Sequence, residues 1–159
     1  MSLMRNPKKV MLGVAAFVAC LLLTFATTCH GEEVLFSVGS PVSRGMTPAV
    51  DLSWRFDSKT DAYWQTSLTL VGESTYSGEY QSNNAGLQVL YVDGFGPVDL
   101  GIGVAFLQNT DRYNGSHANF TLQFGYNWRQ LYVQYRHWSN AGTIKPNLGR
   151  DLLFVGWRF

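Results

Sequence analysis

Apolar and polar residues alternate with a period of two along most of the chain after residue 31. The segment "VDLGIGVAFL" at 98–107 is the clearest example, because large apolar side chains occupy every second position and Asp, Gly and Ala fill the others. Successive side chains of a β-strand point to opposite faces of a sheet, so this alternation is typical of strands. The pattern predicts eight antiparallel strands, at about 33–39, 47–57, 62–72, 84–92, 98–107, 118–127, 130–138 and 151–159.

The chemistry of the two strand faces decides between two eight-stranded architectures. A water-soluble barrel has an apolar interior, whereas an outer-membrane barrel has a polar interior and an apolar wall. Here the smaller side chains, mainly Gly, Ala, Ser, Thr, Gln and Asp, share one face, and Leu, Val, Ile, Phe and Trp share the other. A narrow eight-stranded interior accommodates the first set, and lipid accommodates the second. The sequence therefore predicts an all-β fold, an eight-stranded antiparallel transmembrane barrel of the outer-membrane type.

Aromatic residues support this prediction. All five tryptophans fall near predicted strand ends, where the aromatic girdles of membrane barrels lie: Trp54, Trp64, Trp128, Trp138 and Trp157. On the opposite, inward face we expect Arg55 and Arg158 to form ion pairs with acids of the lumen, the candidates being Asp51, Asp57, Asp99 and Glu73.

The first 31 residues have the anatomy of a secretory signal peptide. A positive segment "MSLMRNPKK" precedes the apolar run "VMLGVAAFVACLLLTFA", and small residues follow. The alternative is a retained membrane anchor, but the run is short for a spanning helix of about 20 residues. We therefore predict a removed signal peptide over 1–31, with cleavage at Thr28 as the alternative, and a barrel domain over 32–159. Both cysteines, Cys20 and Cys29, lie in or beside the signal, which argues against disulfides, thiol catalysis and thiolate zinc sites and fits a bacterial envelope protein.

Charge excludes one class of partner. Charged residues make up 14% of the chain and its formal net charge is +1, with no block of basic residues, so nothing favours binding to nucleic acid. The sequence contains neither a His-Glu-x-x-His motif nor a calcium-loop pattern. No metal or other cofactor is therefore predicted.

A polar group interrupts the apolar face of the last two predicted strands. His137 and Ser139 share the face of Leu131, Val133 and Tyr135, and Asp151 occupies the corresponding face of the next strand. Both chain ends of an even-stranded barrel lie on the periplasmic side. The seventh strand therefore runs outward, and the three polar residues should project from its external end toward lipid.

These three side chains could form a site for acyl transfer. Residues two positions apart lie ~6.6 Å apart along a strand, and neighbouring strands are ~4.8 Å apart. At those separations a hydroxyl, an imidazole and a carboxylate can make hydrogen bonds as nucleophile, base and orienting acid. Decoration of a strand end remains the alternative explanation.

The segment "YRHWSNAG", followed by "KPN", an acid twelve residues after the serine and a final strand ending in Phe159, resembles the PagL-type outer-membrane lipid A 3-O-deacylases. The resemblance implies Ser139 as nucleophile, His137 as general base and Asp151 as the acid that orients the imidazole. It also implies oxyanion donors at Asn140 and Asn147, and lipid A of lipopolysaccharide in the bacterial outer membrane as substrate. Members of this family commonly carry Glu where this chain has Asp151, which is one methylene shorter.

Two other functions fit the same barrel. A small non-catalytic barrel, structural or adhesive, would keep the alternation without needing the polar group. Another envelope lipid enzyme, a phospholipase or a palmitoyl transferase, would also act on lipid, although the phospholipase would normally use a larger barrel and a calcium site. The apolar wall would also suit a homodimer, and the sequence does not separate a protein neighbour from lipid there.

Overall fold

The computed structural model describes residues 33–42, 46–56, 61–76, 79–145 and 147–159. The predicted signal peptide lies outside these residues and stays a prediction. No helix within the described ranges is long and apolar enough to cross a membrane. The described residues form ten strands: β1 (Glu33–Pro41), β2 (Ala49–Phe56), β3 (Ala62–Val71), β4 (Ser74–Tyr76), β5 (Glu79–Gln81), β6 (Asn84–Phe95), β7 (Val98–Leu107), β8 (Ala118–Trp128), β9 (Leu131–Ser139) and β10 (Arg150–Arg158).

Eight of these strands close into one antiparallel barrel, in the order β1-β10-β9-β8-β7-β6-β3-β2. The barrel closes where β1 pairs with β10, in a register that runs from Leu35 opposite Arg158 to Pro41 opposite Leu152. The predicted fold class is confirmed. Closure pairs the two outer strands of this eight-stranded sheet with each other, as a lipid environment requires. The remaining strands, β4 and β5, form a small separate hairpin that the sequence analysis treated as loop.

The two ends of the barrel differ. β1 begins and β10 ends at the same end, which we call the turn end, where a short connection at Gly96 and Pro97 joins β6 to β7 and Arg129 and Gln130 join β8 to β9. The opposite, loop end carries the longer connections, including 108–117 and 140–149. In an outer-membrane barrel the long loops face the exterior.

Burial alternates along the strands as predicted. The wall residues are exposed, as in β8, where Phe120, Leu122, Phe124 and Tyr126 are 47–54% exposed and the residues between them are buried. The girdle position predicted for Trp138 is wrong, because this side chain is fully buried in the lumen and donates from Nε1 to Gln88 Oε1 at 2.9 Å. Its even-numbered position on β9 fixes the inward direction, whatever its closeness to the strand end.

A polar network fills the middle of the lumen around an ion pair between Arg136 and Asp51. The two atoms Nη1 and Oδ1 are 2.6 Å apart, and both side chains are fully buried. Hydroxyls and amides complete the network, with Ser53, Thr69 and Gln134 all donating to the Asp51 carboxylate. Buried charges require this kind of pairing and hydrogen bonding.

A second group of charges closes the turn end. Arg55 pairs with Asp99 at 3.0 Å and lies between the rings of Tyr63 and Tyr132. The lumen ion pair predicted for Arg55 is therefore confirmed. Arg158 has a different partner from those expected, since its Nη1 lies 3.9 Å from Glu33.

Candidate active site

The strand register brings the three predicted triad residues to one place on the outer wall at the loop end. Asp151 of β10 is directly opposite His137 of β9, and Ser139 follows two residues later on the same face. The side chains of His137 and Asp151 are 30% and 26% exposed. All three side chains therefore face outward, as the alternation predicted.

The imidazole and the carboxylate are already hydrogen bonded. His137 Nδ1 lies 2.7 Å from Asp151 Oδ1. An ionised carboxylate only accepts hydrogen bonds, so in this pair Nδ1 is the donor, and Nε2 is the ring nitrogen that does not face Asp151. The shorter Asp side chain thus reaches the imidazole in this fold.

The Ser139 hydroxyl points toward the β9–β10 loop. Its Oγ accepts a hydrogen bond from the backbone N–H of Ala141 at 3.1 Å, and it lies 2.8 Å from the amide of Asn147. Within the described part of the chain, no hydrogen bond joins this hydroxyl to His137. Hydrogen bonds between a nucleophile and its base are often formed only once substrate is bound, so the predicted pairing of Ser139 with His137 would require the hydroxyl to turn away from Asn147.

The Asn147 amide can take two orientations against the serine. With its nitrogen at the serine it donates to Ser139 Oγ, but its oxygen then faces the carbonyl of Tyr113. With the amide reversed, the nitrogen donates to the Tyr113 carbonyl at 3.0 Å, and the oxygen accepts from Ser139 Oγ at 2.8 Å and from Gly142 N at 3.1 Å. The reversed orientation satisfies more of the surrounding groups. In it the Ser139 hydroxyl donates to Asn147 Oδ1, and the amide nitrogen reaches the serine only when the amide turns over.

The side chain of Asn140 makes its hydrogen bonds within the β9–β10 loop. The side chain is 2% exposed, its Nδ2 donates to the carbonyl of Ile144 at 2.9 Å, and its Oδ1 accepts from Gly142 N. The oxyanion roles predicted for Asn140 and Asn147 both stay predictions, and Asn147 is the residue whose amide lies 2.8 Å from Ser139 Oγ.

Residues 48–159 match the family model described as lipid A 3-O-deacylase (PagL). That range is 112 of the 159 residues and includes all five predicted site residues. The chain belongs to the lipid A 3-O-deacylase (PagL) family.

Two further comparisons agree with the PagL family. The lipid A deacylase PagL of Pseudomonas aeruginosa is 30% identical to this chain, over an alignment of 157 positions that covers 84% of this chain and 89% of the relative. A crystal structure of the outer-membrane enzyme PagL superposes with a TM-score of 0.60 at 25% identity and covers 80% of this chain and 98% of that one. The protein is accordingly an outer-membrane β-barrel, so the loop end is its external end.

The structure of this PagL-family chain adds one polar group that the sequence analysis missed, the Ala141 N–H. Ala141 and Gly142 have positive φ angles of 54° and 76°, and Thr143 N donates to the Asn140 carbonyl at 3.1 Å. Two central residues with positive φ are the mark of a type I′ turn. The turn aims the Ala141 N–H at the Ser139 hydroxyl, so a backbone donor is available there in addition to the Asn147 amide. The only sequence signal is the Asn-Ala-Gly run itself.

Two other contacts around the triad were also missed. The Tyr135 hydroxyl donates to Asp151 Oδ1 at 2.5 Å. Gly149 lies against the imidazole, since a Cβ at this position would come within 2.5 Å of His137 Cε1. Gly149 is itself held by a hydrogen bond from its N–H to the carbonyl of Tyr113 at 2.8 Å. Among the described residues there is no group of three or more His, Cys, Asp or Glu side chains that could hold a metal ion.

Proposed function

We propose that this chain removes the 3-O-linked hydroxyacyl group of lipid A by serine catalysis on the outer wall of its barrel, in the outer leaflet. Ser139 is the nucleophile, His137 the general base and Asp151 the orienting acid. The observation that carries the proposal is the 2.7 Å hydrogen bond between His137 and Asp151, beside an outward-facing serine. Membership of the PagL family supports the choice of substrate.

The reaction takes place in two steps. The Ser139 hydroxyl turns to His137 Nε2, loses its proton to it and attacks the ester carbonyl, and the tetrahedral oxyanion forms. Collapse breaks the bond to the sugar oxygen at position 3, which takes the proton from His137 and leaves an acyl-serine. Water, deprotonated by the same imidazole, then attacks the acyl-serine. The bond to Ser139 Oγ breaks, Oγ takes the proton back from His137, and the hydroxy fatty acid leaves.

Donors to the oxyanion come from the β9–β10 loop. The Ala141 N–H and the Asn147 amide both lie within hydrogen-bond distance of Ser139 Oγ in the resting state. The oxyanion is bonded to the same carbon as Ser139 Oγ, so it would form close to both groups. Fixed donors of this kind stabilise the charge that develops during attack.

The position of the site matches an ester within a membrane lipid. A polar group on the lipid face is strongly unfavourable at the midplane of a bilayer and much less so near its interface. The triad lies at the last residues of β9 and the first of β10, at the loop end, so the site can reach an acyl ester near the headgroups while the lipid stays in its leaflet.

The test is Ser139→Ala, with lipid A from cells analysed by mass spectrometry. The active chain should remove one hydroxyacyl mass from lipid A, and the variant should be at least about 10³-fold slower because it has no nucleophile. Ser40→Ala is the matched control, since Ser40 lies opposite Leu153 on the same outer wall and should leave the activity unchanged. Both variants should keep the heat-dependent gel mobility of a folded barrel.

Release of the hydroxy fatty acid by folded Ser139→Ala would refute the triad. If lipid A carried the same acyl chains with and without the wild-type protein, the non-catalytic barrel would be favoured instead. The homodimer expected from the apolar wall stays a prediction, and sedimentation of the protein in detergent would test it.

A further inference from the structure

The Asp151 carboxylate has a second donor on the same oxygen that binds the imidazole. Tyr135 lies two residues before His137 on the outward face of β9, opposite Leu153, and so it is diagonal to Asp151. Diagonal cross-strand neighbours lie about 7–8 Å apart, within reach of an aromatic side chain. The Tyr135 hydroxyl donates to Oδ1 at 2.5 Å, and His137 Nδ1 meets the same oxygen at 2.7 Å.

We propose that Tyr135 is a positioning residue, whose hydroxyl holds the short Asp151 side chain in reach of His137. The inference rests on the proposed function, because it concerns the acid of that triad. A carboxylate can rotate about its bond to Cβ and turn its oxygens away from the imidazole. Two donors from one strand, both on Oδ1, oppose that rotation and fix which oxygen faces the ring.

The neighbours of Tyr135 on the outer wall do not explain why this residue carries a hydroxyl. Its side chain is 39% exposed on a wall that is otherwise apolar, next to positions such as Phe124 and Leu153. Phenylalanine would serve equally well for contact with lipid. A phenol at such a site needs a hydrogen-bond partner, because an unpaired hydroxyl in hydrocarbon is unfavourable.

The main competing role for Tyr135 is that of a membrane anchor. Tyrosines of an aromatic girdle place their hydroxyls at the level of the lipid headgroups. Here the hydroxyl is instead directed at the carboxylate that binds the catalytic imidazole. The two roles differ in what removal of the hydroxyl does, since an anchor affects insertion and a positioning residue affects turnover.

A double-mutant cycle separates these roles. Four proteins are compared in detergent micelles with lipid A: wild type, Tyr135→Phe, Asp151→Glu and the double variant. Tyr135→Phe should lower kcat about 10- to 100-fold with KM changed less than about twofold, because a charge-assisted hydrogen bond that orients the acid is lost. A Glu side chain is longer, so it can reach His137 without being held by the Tyr135 hydroxyl. In the Asp151→Glu background Tyr135→Phe should therefore lower kcat less than about threefold.

Tyr126→Phe provides the matched control. Tyr126 is also an outward-facing tyrosine, 47% exposed on the neighbouring strand β8, and its replacement should leave kcat and folding unchanged. An equal loss in both acid backgrounds, or a raised KM with unchanged kcat, would overturn the positioning role. Full activity of Tyr135→Phe would overturn it too.

A readout that does not depend on turnover uses the Ser139→Ala background. The proton on His137 Nδ1 should give a downfield NMR resonance while Asp151 holds it, and the resonance should broaden or vanish in Tyr135→Phe. A resonance unaffected by Tyr135→Phe contradicts the inference alone, whereas active Ser139→Ala contradicts the proposed function. The two failures are therefore distinguishable.

Discussion

The two faces of β9 differ in how firmly their side chains are held. Gln134, Arg136 and Trp138 point into the lumen, are at most 1% exposed, and each is hydrogen bonded to other strands of the barrel. Tyr135, His137 and Ser139 point outward and are partly exposed. Tyr135 and His137 are hydrogen bonded to Asp151 of β10, and Ser139 is hydrogen bonded to Asn147 of the β9–β10 loop. The inward side chains anchor β9 in the barrel, and the outward side chains form the proposed active site.

This difference has a consequence for the site. Arg136 reaches Asp51 of β2, Thr69 of β3 and Gln123 of β8. The ring of Trp138 lies against Gly86 of β6, where an added Cβ would come within 3.2 Å of it. His137 lies between these two anchored residues, so its backbone has a fixed position although its side chain is 30% exposed on the outer wall.

The largest expected effect comes from removing an inward anchor. Arg136→Met would leave the Asp51 carboxylate fully buried without its cation, and breaking a buried pair in this way destabilises proteins by about 3–5 kcal/mol. The free energy of unfolding, measured by urea titration of the barrel in lipid vesicles, should fall by that amount. Asp51→Asn in the same protein should recover most of the loss, because the uncompensated charge is then gone.

Arg158→Met is the control for that measurement. Arg158 is 32% exposed and its ion-pair partner Glu33 is 3.9 Å away, so its loss should change the stability by less than about 1 kcal/mol. Equal losses for Arg136→Met and Arg158→Met would show that the lumen network does not anchor the barrel.

Much of the fold could be read from the sequence because the period of a strand is fixed. The inward and outward residues of β7, β8 and β9 follow directly from alternation, and so does the outward direction of His137 and Asp151. Trp138 shows the limit of a different argument, since closeness to a strand end predicts a place in the aromatic girdle, whereas alternation gives the inward direction that the structure has. The hairpin of β4 and β5 was missed because three-residue strands are too short to show alternation.

The details of the site depend on loop backbone that alternation does not describe. The Asn-Ala-Gly run has no periodic pattern. The hydrogen bond from the Ala141 N–H to Ser139 and the one from the Asn140 side chain to Ile144 could therefore not be predicted. Gly149 carries no side chain to suggest a contact with His137. The shared hydrogen bond of Tyr135 required the register between β9 and β10, which only the closed barrel supplies.

A smaller effect is expected on the outward face, from Gly149→Ala. The new Cβ would meet His137 Cε1 at 2.5 Å, and φ at this position is +74°. The imidazole has to shift away from Asp151 or Ser139, so kcat should fall about 10- to 100-fold, since misplacement of about 1 Å has effects of up to that size. The stability should fall by only about 1 kcal/mol, from the positive φ.

Gly96→Ala separates backbone strain from the contact with the imidazole. Gly96 has a φ of +64° at the turn end and no atom within 4 Å of an added Cβ. It should therefore lose similar stability and keep full activity. Equal activities of the two variants would mean that Gly149 does not define the position of the imidazole.

The smallest effect is expected from Ala141→Gly. Ala141 has a φ of +54°, which is unfavourable for a residue with a Cβ, and Gly relieves that strain while keeping the backbone N–H that faces Ser139. The stability should rise by less than about 1 kcal/mol, because the greater freedom of Gly in the unfolded chain offsets part of the gain. Arg129→Gly, at a φ of +57° in the opposite turn, is the matched control and should show a similar small change. The activity of Ala141→Gly and of Arg129→Gly, measured by the release of fatty acid, should stay within about twofold of wild type. A loss confined to Ala141→Gly would mean that the alanine side chain, and not only the N–H of this turn, holds the site in order.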